Sequence, residues 1–114
     1  MMDIEKIKNE VVDRLKQINP ELIILFGSYA YGSPNENSDL DFYLVTKDEF
    51  IPDNFNKMME FKLSISHLVR DYQKYIPIDI IAHTKPMSDR FKLSKNYLYN
   101  DIFKRGVVIY EKGN

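Results

Sequence analysis

The 114-residue chain has no cysteine. That absence excludes disulfides, thiolate metal ligands and thiol nucleophiles, and it fits a reducing cytoplasmic compartment. An excess of one charge is also missing: 16 basic and 17 acidic side chains leave a net charge of -1. Nucleic-acid binding through a broad basic field is thereby disfavoured, although a local basic pocket for a triphosphate is compatible with the balance. No apolar run approaches the roughly 20 residues of a membrane-spanning helix. The opening residues, MMDIEKIKNE, are charged and lack the apolar core of a signal peptide. Repeats, low-complexity tracts and dividing linkers are lacking too. What is present is an ordinary globular mix, 44% hydrophobic and 29% charged, so the expectation is one soluble cytoplasmic domain over residues 1–114.

Hydrophobic spacing orders the elements. Ile4, Ile7, Val11, Leu15 and Ile18 recur at helical intervals, with Asp3 as N-cap and Pro20 as stop. Leu22–Phe26 is a short apolar run suited to a strand buried on both faces, and Ser28–Tyr31 starts a short helix. Residues 32–38 are nearly all turn formers, and 39–45 read as a second strand. A helix is expected over about 53–75, with Met58, Phe61, Ile65, Leu68 and Tyr72 as its apolar stripe. A third strand is expected near 78–82. A last helix is expected over about 88–105, with Phe91, Leu98 and Ile102 inward and Gly106 as its C′ residue. Val107–Tyr110 suits a final strand. This alternation gives an α/β (α+β) domain, a sheet of about four strands flanked by helices.

The chemistry concentrates in Gly27-Ser28 and in Asp39-Leu40-Asp41. Residues two apart on a strand share a side, so Asp39 and Asp41 project together. Adjacent carboxylates repel, and a hard divalent cation such as magnesium relieves the repulsion. Asp79 lies between Ile78 and Ile80, where an isolated ionised carboxylate would be costly to bury. If its strand neighbours the second one, all three carboxylates converge and can hold two metal ions. A glycine after a strand lets backbone approach a ligand, and the helix start beyond it offers N–H groups to an anion. The Ser28 hydroxyl adds a donor. Together these features imply a metal-bound triphosphate as substrate.

Gly27-Ser28, ten further residues and Asp39-Leu40-Asp41 resemble the signature of the minimal nucleotidyltransferases, within the DNA polymerase β-like superfamily. Asp79 resembles that family's third carboxylate. The resemblance implies the nucleotidyltransferase fold with its mixed sheet, Mg2+ (two ions, with Mn2+ as a substitute) and ATP as nucleotide donor. It implies metal-binding and catalytic roles for Asp39, Asp41 and Asp79, and triphosphate contact for Gly27 and Ser28. Many stand-alone members are antitoxins that transfer AMP from ATP to a tyrosine of a HEPN-domain RNase toxin. The expected partner is therefore a HEPN toxin, in a hetero-oligomer or beside a homodimer. Many members carry arginine where this chain has Tyr31, so the source of positive charge near the phosphates is open.

Other readings compete. A non-catalytic antitoxin would neutralise by contact, but clustered carboxylates do nothing for a pure binder. Transfer to a small molecule or to RNA is the enzymatic alternative, and a second chain would have to complete the acceptor site. A phosphatase of the haloacid dehalogenase type also uses paired aspartates, yet there the nucleophile follows an apolar strand, whereas Asp39 and Asp41 precede one. Around the motif, Tyr29 and Tyr31 read as packing residues, His67 as a helical pair with Asp71, and Lys57, Lys62 and Lys74 as a wet helix face. His83 and Lys85 lie either toward the triphosphate or in a solvated loop.

Overall fold

The computed structural model describes residues 3–113. Met1, Met2 and Asn114, which the expected 1–114 domain includes, lie outside the described residues. Helix α1 (Ile4–Lys16) starts where the Asp3 carboxylate accepts the Lys6 backbone N–H at 3.1 Å. It buries Ile7, Val11, Val12 and Leu15, each contributing about 1.5–3 kcal/mol relative to exposure. Strand β1 (Leu22–Phe26) and the four-residue helix α2 (Ser28–Tyr31) follow. Then come β2 (Leu40–Val45), α3 (Phe55–Ser66), β3 (Ile78–His83), α4 (Lys85–Ser94), α5 (Tyr97–Tyr99) and β4 (Val107–Glu111).

The strands form one sheet in the order β3-β2-β1-β4. β1 is antiparallel to β2 and β4, and β2 is parallel to β3. The parallel pair requires a crossover, which α3 and the turn after it supply. One face carries Ile23, Leu25, Leu40, Phe42, Leu44 and Ile78 against α1 and α3. The other carries Ile24, Phe26, Tyr43 and Val45 against Ile102, Phe91 and Phe103. β1 and β2 are apolar on both faces because both are covered, as their continuous apolar runs imply.

Two expected helices are each broken. The 53–75 helix is α3 followed by a tighter 3₁₀ segment, His67–Tyr72. The tighter winding shifts the buried position to Val69, leaving Leu68 and Tyr72 half-buried. Arg14 fixes this segment to α1 through two bonds to Asp71, 3.0 and 3.1 Å. His67 pairs with Arg70 at 2.8 Å instead of Asp71. The 88–105 helix stops at Lys95, whose φ of 50° is left-handed. Asn96 caps a new turn by accepting the Tyr99 N–H, and a π turn runs over Asn100–Lys104. Leu98 is consequently exposed, while Ile102 is fully buried. Gly106 is required for space and not for a left-handed cap: a Cβ there would lie 2.6 Å from Ile24 Cγ2.

Candidate active site

The site stands at one rim of the sheet, where β2 and β3 begin. In the parallel register Asp41 pairs with Asp79, and on its other side Asp41 pairs with Phe26, the last residue of β1. Asp39 precedes β2 by one residue and still shares Asp41's side. One carboxylate oxygen from each of Asp39, Asp41 and Asp79 lies within 4.8 Å of the other two. The convergence expected from sequence is therefore present.

Burial differs from the expectation at one position. Asp79 is exposed, because β3 is an edge strand and its alternation sends Ile78 into the core and Asp79 out. The flanking isoleucines mark the opposite face. Asp39 and Asp41 are both half-buried. The Asp41 carboxyl is pushed up to about 6, first by burial and then by Asp79 and Asp39. Burial disfavours the charged form and the two neighbouring carboxylates add to the effect, so this proton is difficult to release. Hard oxygen donors in this arrangement fit a divalent ion of the magnesium type.

Gly27 closes the site from β1. Its φ of 78° is left-handed, and a Cβ there would strike Asp41 Oδ2, with Asp41 Cγ 3.1 Å away. Glycine is needed for both reasons: the turn, and the approach of backbone to the carboxylate. Gly27 is also the N-cap of α2. The Ser28 hydroxyl instead donates to Ser38 at 2.9 Å, and Ser38 Oγ accepts the Asn35 N–H at 2.8 Å. This link ties the turn-rich loop shut beside Asp39.

Behind the aspartates, on the same face, Tyr43 packs edge-on to His83 and touches Phe91 and Phe103. Its hydroxyl lies 2.9 Å from His83 Nδ1 and donates to Ser88 at 2.8 Å. Burial pushes Tyr43 up to about 12 and lowers His83, with Lys62 adding to the latter. His83 is thus packed into the domain. Lys85 is held by Glu49 and Glu21 at 2.9 and 3.1 Å, at the far end of the sheet. Neither faces the carboxylates. Lys57, Lys62 and Lys74 are exposed, as expected of a wet face. Tyr29 packs against the core, and Tyr31 carries the Arg105 guanidinium 3.8 Å from its ring centroid. A cleft of about 320 Å³ lies elsewhere, between α3 and β3, and includes Met58, Ile80 and Ala82. Its lining is mostly apolar, whereas the carboxylates that could hold a metal are at the rim. No helix among the described residues is long and apolar enough to cross a membrane.

Residues 5–114 match the family described as Polymerase beta, Nucleotidyltransferase. No curated protein matches the chain. Among solved structures, it is similar to a Sulfolobus solfataricus protein described provisionally as a nucleotidyltransferase. Identity is 22% and TM-score 0.59, covering 94% of this chain and 79% of the other. A toxin–antitoxin structure with AMP-PNP is similar at 19% identity and TM-score 0.51, covering 93% and 74%. An MntA-HpeT toxin–antitoxin mutant is similar at 17% and 0.50, again covering 93% and 74%. At these identities the likeness is one of fold.

Proposed function

The chain belongs to the polymerase β nucleotidyltransferase family, and from that membership we propose that residues 1–114 form a minimal nucleotidyltransferase domain that transfers AMP from ATP to a tyrosine of a HEPN-type toxin, acting as its antitoxin. The observation that carries this reading is the meeting of Asp39, Asp41 and Asp79 within 4.8 Å, beside a glycine that leaves no room for a side chain. The resemblance to toxin–antitoxin assemblies, one of them with AMP-PNP, supports the donor and the class of partner.

In this reading Asp39, Asp41 and Asp79 hold Mg2+, or Mn2+ in its place. When bound, the ions would supply activation of the acceptor oxygen and charge stabilisation at the transferring phosphorus. Asp79, the exposed carboxylate, is open to the acceptor and takes the proton of its hydroxyl. Gly27 lets the backbone approach the phosphates. Ser28 contacts them by exchanging its bond to Ser38 for one to a phosphate oxygen. With its carboxyl at about 6, Asp41 is mostly ionised at neutral pH even though its proton is held more tightly than usual, so metal binding there displaces only a fraction of a proton.

The test combines the protein, magnesium, each labelled triphosphate and a candidate HEPN-type partner, read by intact mass. The expected outcome is an AMP-sized addition to the partner from ATP. Asp39→Ala, Asp41→Ala and Asp79→Ala should each slow it by about 1000-fold or more, roughly 4 kcal/mol of transition-state stabilisation. Full transfer by Asp39→Ala would remove the assigned chemistry. Toxin neutralisation unchanged in Asp41→Asn would make the protein an antitoxin by contact alone.

A further inference from the structure

The rim has a second half, on the other side of Gly27. Val107 of β4 pairs with Leu25 of β1, so the antiparallel chain carries Gly106 and Arg105 toward Phe26 and Gly27. Arg105 therefore stands at the same end of the sheet as the aspartates, two strand spacings from β2, about 10 Å. Three features aim its side chain. The π turn at Asn100–Lys104 ends at Arg105, whose N–H bonds back to Asn100 at 3.2 Å. The Tyr31 hydroxyl donates to the Asp101 carbonyl at 2.9 Å, docking that turn on α2. The guanidinium lies over the Tyr31 ring, 3.8 Å from its centroid. π turns of this kind are frequent at functional sites.

A plain helix-end ion pair does not account for the arrangement. The Arg105–Asp101 separation is 3.8 Å, longer than a hydrogen bond, and the two side chains are 59% and 46% exposed. Such a pair contributes little. The aromatic face does more to hold the cation, and it orients a planar group whose forked donors match phosphate oxygens.

We propose that Arg105, seated on Tyr31, binds the outer phosphates of the triphosphate and neutralises the departing pyrophosphate. The proposal rests on the transferase reading above and assigns the phosphate-binding charge of that site. As the acceptor oxygen bonds to the α-phosphorus, the bond from that phosphorus to its bridging oxygen breaks. The electron pair leaves on pyrophosphate, and the acceptor proton passes to Asp79. Negative charge thus grows on the side of Gly27 away from the carboxylates, where Arg105 stands.

The experiment compares parent, Arg105→Ala and Arg105→Lys in magnesium by calorimetric titration with ATP and with AMP, which lacks the outer phosphates. Thermal melts check folding, and little change is expected for an exposed side chain. Arg105→Ala should weaken ATP by about tenfold or more and leave AMP within about twofold, as expected for loss of a charge-assisted bidentate contact. Arg105→Lys should recover part of the ATP affinity but not all. Parent-like ATP binding by Arg105→Ala, or equal losses for ATP and AMP, would overturn the proposal while leaving the transferase reading intact. A parent protein that binds no ATP would overturn both.

Discussion

The two ends of the sheet handle charge in opposite ways. At one end Lys85 sits between Glu49 and Glu21, with Lys112 3.6 Å from Glu21. Lys85 holds the Glu21 carboxyl below its usual range, and the two glutamates raise Lys85. At the other end three aspartates gather, none of them in an ion pair among the described residues, and Asp41 is pushed up to about 6. The first cluster is balanced by the chain itself. In the proposed reading a bound cation balances the second, beside the close approach of Gly27. The difference separates a surface that closes the fold from the surface to which the proposed chemistry is assigned.

Gly27→Ala is the strongest way to break that contrast. It imposes a left-handed φ on a residue with a Cβ and drives that Cβ into the Asp41 carboxylate. A loss of about 2–4 kcal/mol is expected, seen as a lower midpoint in urea, together with loss of metal-stimulated transfer. A midpoint equal to that of the parent would show that the rim gives way easily, contrary to its tight geometry.

A subtler test uses pH. Asp41 releases its proton near pH 6 when folded and near its ordinary 3.8 when unfolded. The folded state therefore holds the proton longer, so the metal-free protein loses stability as pH rises from about 4 through 6 and stays at the lower level above it. The carboxyl is only half buried, so solvent screening limits the effect to on the order of 1 kcal/mol. Metal-free melting temperature should fall between pH 5 and 7.5, Asp41→Asn should flatten the fall, and magnesium should reverse it. A flat profile in the parent would mean that burial and the neighbouring carboxylates together raise Asp41 too little to need an ion.

The smallest effect is expected at the opposite end. Lys85→Ala removes two half-exposed ion pairs while Lys112 still faces Glu21. The cost should stay below about 1 kcal/mol, and transfer should be unchanged. A large fall in transfer would mean that the two ends are coupled.

Periodicity alone gave the strands, their order along the chain, and α1 with its Asp3 cap, because apolar spacing and capping are local properties. The spacing from Gly27-Ser28 to Asp39 and Asp41 was equally legible, since a glycine turn and two strand carboxylates on one side are short-range patterns. The breaks at His67 and Lys95 were not. The residues there suit a helix, and only packing against α1 and β1 decides that the chain tightens into a 3₁₀ segment or pauses in a left-handed turn. Tertiary structure also decided three matters at the rim. The parallel register sets Asp79 opposite Asp41. The edge position of β3 leaves Asp79 exposed where its isoleucine neighbours suggested burial. Docking of the π turn on α2 brings Arg105 to Tyr31 from 74 residues away. Sequence encodes which groups can bind metal or phosphate. Their separation in space depends on strand order and register, which arise only when distant segments share one core.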